Sequence, residues 1–189
     1  MALTDDAHQL IRHHFKGKSK GIAVDATCGN GFDSQFLAAL GFQRVIGFDI
    51  QEVAINTTRE RLSQAGYKKI ELVLAGHQTM ANYIDTKVDC VMFNFGYLPS
   101  GDKTIVTNPE NSIEAIAVAA HLLSHNGLIS LMCYPGHPSG AIETQAIRDW
   151  FKTLNGQWIV ETHLAVSPKA TAPILYLLRL QSNHRDVLN

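Results

Sequence analysis

The spacing of apolar positions switches repeatedly along this chain between the period of a helix and the short continuous runs of buried strands. From about Thr4 to Phe15 the apolar residues recur at helical spacing, and Gly21 to Ala26 reads as a short buried strand. The alternation then continues to the end. Strands are predicted over 21–27, 44–49, 70–74, 88–94, 127–133, 157–164 and 173–180, and helical patterns fill 33–40, 51–65, 109–124 and 141–154, with only a short piece near 78–84. Thr107-Asn108-Pro109-Glu110 is a start signal for the helix at 109: a capping Asn, proline at the first helical position and an acid in the first turn. Strands that alternate with helices imply a parallel sheet covered on both faces. The last two strands are separated only by Ser167-Pro168-Lys169 and neighbours, too few residues for a helical crossover, and are expected to be antiparallel.

No long linker, low-complexity tract or internal repeat interrupts the pattern, and 189 residues suit a single domain, 1–189, with a sizeable core. Apolar content is 46%, charged content is 17%, and no run approaches the ~20 apolar residues of a membrane span. A soluble globular enzyme without a membrane partner is expected. Met1 to Asp6 lacks the basic start and apolar run of a secretory signal, and Cys28, Cys90 and Cys133 show no CxxC or other metal-like spacing. These features predict a cytoplasmic protein with buried thiols and no metal. The net charge of −1 and a pI near 6.7 are not the global signature of a nucleic-acid binder, so any such contact has to use a local patch. The densest basic cluster is Arg12, His13, His14, Lys16, Lys18 and Lys20, with Lys68-Lys69 a smaller one; the plain reading of both is a solvated surface.

Candidate chemistry begins at the turn after the first strand, Asp25-Ala26-Thr27-Cys28-Gly29-Asn30-Gly31-Phe32-Asp33. Glycines at 29 and 31 permit a tight turn and close backbone approach. A dinucleotide fingerprint requires a third glycine where this chain has Ser34, and Asp33 would repel a diphosphate. The acidic-x-x-x-Gly-x-Gly form resembles motif I of class I methyltransferases, whose cofactor, S-adenosylmethionine, has no phosphate and carries an ammonium suited to Asp25 and Asp33. Asp49 ends the second strand, where a carboxylate can accept both hydroxyls of a ribose. His77, after the third strand, lies where this fold meets adenine.

Beyond the fourth strand comes Asn94-Phe95-Gly96-Tyr97, whose Asn-x-x-Tyr spacing is similar to the Asn-Pro-Pro-Tyr motif of amino-group methyltransferases, with Phe95-Gly96 in place of the two prolines. In that motif the Asn oxygen and a backbone carbonyl accept hydrogen bonds from the target amine, which aims its lone pair at the methyl carbon and supplies rate by orientation. Asp102 is the nearest candidate for taking a proton from the amine. A Pro/Gly-rich loop after the fifth strand, Tyr134-Pro135-Gly136-His137-Pro138-Ser139-Gly140, presents Tyr134 and His137 across the same crevice, where they could stack on or hydrogen-bond a base.

Taken together, residues 25–33, 94–103, 104–107 and 134–140 resemble the putative rRNA methylase family, the YtqB-like proteins, over about residues 5 to 180. The resemblance implies a Rossmann-like class I methyltransferase, α/β, with a seven-stranded mostly parallel sheet, an antiparallel C-terminal strand and helices on both faces. It implies the MnmM-type activity, in which 5-aminomethyl-2-thiouridine at wobble position 34 of transfer RNA becomes the methylaminomethyl form. It further implies that Asp25, Thr27, Gly29, Asn30, Gly31 and Asp33 surround the methionine part of S-adenosylmethionine, Asp49 and Gln51 the ribose, and Gly76 and His77 the adenine side. Asn94 would border the cofactor and, with Tyr97, orient the amine; Tyr97, Gly101, Asp102, Lys103, Tyr134 and His137 would hold the base or its phosphate. The partner would be the anticodon loop, where bases can be splayed and stacked, and a homodimer would join two weak basic patches into one RNA surface. A methyltransferase acting on ribosomal RNA or a small-molecule amine, and a non-catalytic S-adenosylmethionine-binding module, remain alternatives; a dinucleotide oxidoreductase is a distant third.

Overall fold

The computed structural model describes residues 3–67, 70–96, 108–165, 169 and 171–181. In chain order the elements are α1 (Leu3–His14), β1 (Ile22–Asp25), α2 (Phe32–Ala39), β2 (Arg44–Asp49), α3 (Glu52–Gln64), β3 (Ile70–Leu74), a 3₁₀ turn (His77–Asn82), β4 (Val88–Asn94), α4 (Pro109–Leu122), β5 (Leu123–Cys133), α5 (Pro138–Phe151), β6 (Trp158–Leu164) and β7 (Ile174–Leu180). The seven strands form one sheet in the order β3-β2-β1-β4-β5-β7-β6, parallel from β3 to β5, with β7 antiparallel to both of its neighbours. The short connection before β7 reverses the chain, and the burial pattern selects the interior place for β7. Five consecutive residues, Ile174 to Leu178, are buried, as a strand covered on both faces requires, whereas β6 carries Glu161, Thr162 and His163 and takes the edge.

Alternate residues of the strands feed two cores. On one face Ala23, Val45, Cys90, Met92, Leu128, Met132, Leu175 and Leu177 pack under α1 and α2; on the other Val24, Ile46, Phe48, Val91, Phe93, Ile129, Leu131, Tyr176 and Leu178 pack under α4 and α5. The helix α1 lies lengthwise against the strands, burying Leu3, Ala7 and Ile11. Its carboxyl end is tied to the start of β5 by His14 Nε2 and the Asn126 carbonyl, 2.8 Å apart, and its amino half reaches the opposite end of the sheet.

Most boundaries fall within two residues of the expectation; the larger differences lie at the start of β5 and at both ends of α5. The helix α4 starts as its cap signal predicts, with Asn108 Oδ1 accepting from the Glu110 N–H at 2.9 Å, but it ends at Leu122 because Leu123 already pairs with Val88. The register then slips, Cys90 pairing with Leu128, and Asp89 holds the bulge by accepting from Ser124 Oγ at 2.6 Å and from the Gly21 N–H at 2.7 Å. The helix α5 begins at Pro138 rather than 141, since Pro138 is the first helical residue and not a loop residue. Among the described residues no helix is long and apolar enough to cross a membrane.

Candidate active site

The carboxyl ends of β1, β2 and β4 open onto one crevice, floored by the turn that joins β1 to α2. Gly29 (φ 48°) and Gly31 (φ 80°) are left-handed, and a Cβ at Gly31 would stand 3.0 Å from the backbone and side chain of Thr58. The turn is clamped from α3, where Thr58 Oγ1 donates to the Gly29 carbonyl at 3.0 Å and Arg61 Nε to the Asn30 carbonyl at 2.6 Å. The Arg61 guanidinium also covers the exposed Phe32 ring, 3.7 Å from its centroid. Thr58 and Arg61 belong to no motif, and only the fold brings them to the turn.

Asp25 is 1% exposed, so its carboxylate is an organiser of the turn rather than part of the crevice surface. It accepts from Ser34 Oγ at 2.6 Å and from the Thr27 N–H at 3.3 Å. Burial, and then the nearby Asp33 carboxylate, push its carboxyl up to about 7. Ser34, which breaks the dinucleotide fingerprint, is therefore a hydrogen-bond donor to the motif acid. Ser34 is packed closely against β2, where a Cβ at Gly47 would stand 3.3 Å from its Oγ.

Asn94 ends β4 on the same face as Asp25. Its backbone N–H donates to Thr27 Oγ1 at 2.7 Å and its Nδ2 faces Asp33 Oδ2 at 3.5 Å. Because an ionised carboxylate only accepts, this contact sets which end of the amide faces Asp33. Phe95, standing where the related motif has proline, is buried, stacks on Phe93 with centroids 5.2 Å apart and continues the ladder through Phe95 N–H to the Met132 carbonyl. Gly96 follows at φ 134°, a conformation that favours glycine. Burial thus anchors the loop in place of proline rigidity. Tyr134 joins the group through a hydrogen bond with the Asn94 side chain; burial and the Asp33 charge raise its phenol. His8 of α1, like Thr58 and Arg61, carries no signal in the sequence; its Nε2 meets Asp33 Oδ1 at 2.6 Å.

Asp49 stands at the end of β2, its oxygens accepting from the Gly29 N–H at 3.0 Å and the Gln51 N–H at 2.9 Å; burial still raises its carboxyl. Gln51 precedes α3 without capping it through its side chain. Gly76 leads into the 3₁₀ turn, and His77 Nδ1 donates to the Ala26 carbonyl at 3.2 Å while its ring meets Phe93 and Phe95 edge-on. Burial lowers the imidazole below its ordinary value and favours the neutral ring.

His137 is drawn into the start of α5, where Nδ1 accepts from the Gly140 N–H at 3.0 Å and lies 2.9 Å from Ser139 Oγ. Capping is thus a local role for the residue expected to contact a base. Tyr97, Gly101, Asp102 and Lys103, and also Lys68 and Lys69, lie outside the described residues. The basic cluster divides: Arg12 lies over the Phe36 ring of α2, whereas Lys18 lies beside His14 at the far end of the sheet. All three cysteines are buried, and burial raises each thiol, so none is a ready nucleophile.

This donor and acceptor set fits S-adenosylmethionine. A glycine turn that no Cβ could enter at Gly31 allows close approach, Asp33 offers a carboxylate for an ammonium, and Asp49 offers one for vicinal hydroxyls. The acid at 33, beside the turn, does not suit a diphosphate, whereas Asp49 suits the ribose of either cofactor class.

A family model described as "Putative rRNA methylase" matches residues 45–179. The chain is 32% identical over 174 residues to the chloroplastic tRNA (mnm(5)s(2)U34)-methyltransferase of Arabidopsis thaliana, covering 85% of this chain and 63% of that protein's length. Among solved structures it is similar to the "putative rRNA-methylase" of Clostridium thermocellum, with a TM-score of 0.88, 36% identity and coverage of 96% of this chain and 98% of that one. It is also similar to the "putative methyltransferase" of Streptococcus mutans in complex with SAH, with a TM-score of 0.81, 32% identity and coverage of 92% and 97%. A family match over residues 45–179, together with whole-chain similarity to these structures, leads to one conclusion: the chain belongs to the "Putative rRNA methylase" family.

Proposed function

We propose that this protein is an S-adenosylmethionine-dependent N-methyltransferase that converts 5-aminomethyl-2-thiouridine at wobble position 34 of transfer RNA to 5-methylaminomethyl-2-thiouridine. Methyl transfer from S-adenosylmethionine follows from family membership and from the fit of the crevice. The amine target is the finer part of the reading, and one observation carries it: Asn94 is fixed at the end of β4 by its backbone bond to Thr27, with its amide nitrogen facing Asp33. The amide oxygen is then the end left to accept from an amine N–H. The Arabidopsis relative, named for this uridine, supports the same choice.

When bound, S-adenosylmethionine supplies an electrophilic methyl group on a sulfonium. The chain does the rest by positioning. Asp33 holds the ammonium, Asp49 with Gln51 the ribose hydroxyls, and Gly76 and His77 the adenine edge, while the turn from Thr27 to Gly31 provides backbone contacts. Asn94 accepts from the substrate amine so that its lone pair points at the methyl carbon, an orientation effect of the kind that contributes much of an enzymatic rate. Tyr97 packs on the uracil, Asp102 takes the proton, and Gly101, Lys103, Tyr134 and His137 hold the base and its phosphate. The anticodon loop can present base 34 to this crevice because the loop is single-stranded.

The test is methyl transfer from labelled S-adenosylmethionine to transfer RNA carrying 5-aminomethyl-2-thiouridine, beside the same RNA without the aminomethyl group and beside ribosomal RNA. Label on the first alone, recovered as the methylaminomethyl nucleoside, is the expected result. Label on ribosomal RNA alone overturns the target while retaining the methyltransferase.

A further inference from the structure

His8 lies outside the stretch matched by the family model and on the helix before the first strand. Its ring stacks flat on Phe36 of α2, with centroids 3.9 Å apart and planes within 3°. Packing therefore sets the plane of the imidazole, and within that plane Nε2 meets Asp33 Oδ1 at 2.6 Å. The two side chains are only 26% and 14% exposed, so water competes weakly for the contact. The second oxygen of Asp33 faces Asn94 Nδ2. A carboxylate rotates easily about its last torsion, and donors on both sides remove that freedom.

The geometry points to His8 as a positioning residue of the cofactor site: it holds Asp33 in the orientation that receives the ammonium of S-adenosylmethionine, and so makes α1 part of that site. The inference rests on the crevice being an S-adenosylmethionine site and is independent of the RNA target. Phe36 supplies the platform that aims the imidazole, and the buried residues Leu3, Ala7 and Ile11 fix α1 on the sheet so that the aim is kept. One helix thus links the far end of the sheet, through His14, to the acid beside Asn94.

The experiment is calorimetric titration with two ligands: S-adenosylhomocysteine, which carries the ammonium, and 5′-methylthioadenosine, which keeps the nucleoside and thioether but lacks the amino-acid end. Two variants are compared with wild type. His8→Phe keeps the stack on Phe36 and cannot donate; His8→Gln keeps a donor without the ring. His8→Phe is expected to weaken S-adenosylhomocysteine on the order of tenfold, the scale of a lost hydrogen bond to a charged group, and to leave 5′-methylthioadenosine unchanged. His8→Gln is expected to recover most of that loss. Unchanged or tighter S-adenosylhomocysteine binding by a folded His8→Phe overturns the inference, and equal weakening of both ligands does so too, since it assigns His8 a purely structural role. Failure of wild type to bind S-adenosylhomocysteine would instead refute the cofactor site, and binding without transfer to RNA would refute only the proposed target.

Discussion

Replacing Asp25 by Asn removes a buried charge and keeps the shape of the side chain. The carboxyl is 1% exposed, and burial with the neighbouring Asp33 raises it from an ordinary 3.8 to about 7. Below about pH 4 the group is protonated in both the folded and the unfolded chain and costs nothing. As pH rises above that point the unfolded chain ionises first, so stability falls, and the loss is complete once pH passes the folded value near 7. The full penalty is about 4 kcal/mol at 1.36 kcal/mol for each pH unit between the two values. The Asn variant keeps an acceptor for the Thr27 N–H, and the Ser34 hydroxyl can turn to accept from the new amide. Without cofactor, Asp25→Asn is therefore expected to be more stable than wild type at pH 8, by between 1 and about 4 kcal/mol, with the advantage shrinking towards pH 5. Urea unfolding of both proteins at the two pH values measures this as the difference in midpoint at constant m. A variant that is less stable at pH 8, or a difference independent of pH, would refute the account of Asp25 as a strained buried charge. Weaker binding of S-adenosylhomocysteine by the same variant would show why the charge is kept, as groups that cost stability often serve a site.

Gly31→Ala places a Cβ at φ 80° and 3.0 Å from Thr58; a loss of about 1–3 kcal/mol is expected, seen as a lowered Tm together with weakened cofactor binding. Asn94→Ala is expected to abolish turnover and leave S-adenosylhomocysteine binding nearly intact in calorimetry, whereas Asp49→Ala is expected to weaken binding; equal loss of binding and turnover in Asn94→Ala would contradict its assigned role. Thr27→Val removes the acceptor of the Asn94 N–H at 2.7 Å, and a drop in kcat with little change in cofactor affinity is the expected result, with a stability cost of about 1–3 kcal/mol.

Much of the crevice was legible in the chain because its parts are local. The glycines at 29 and 31, the acids that end β1 and β2, and Asn94 at the end of β4 lie at strand ends, and strand ends in an α/β sheet converge on one side. His8, Thr58 and Arg61 were not legible. Each reaches the crevice across a separation of 25 to 31 residues, from a helix whose surface pattern is no different from that of a solvated helix. His137 shows another limit of local reading: its loop position suggested contact with a base, and the fold adds a role the loop did not announce, Nδ1 accepting from the Gly140 N–H at the start of α5.

By itself the sequence determined the alternation of strands and helices, the reversal before the last strand and the type of cofactor turn. These follow from periodicity, loop length and the torsional freedom of glycine, all of which act over a few residues. Only the tertiary structure decided that β7 would lie between β5 and β6, that Asp25 would be buried with Ser34 as its donor, and that α1 would bring His8 to Asp33. The physical reason is that burial and electrostatic partnership depend on which surfaces meet in space. A carboxylate in the sequence is only an acid; its neighbours in the fold decide whether it organises a turn or receives a ligand.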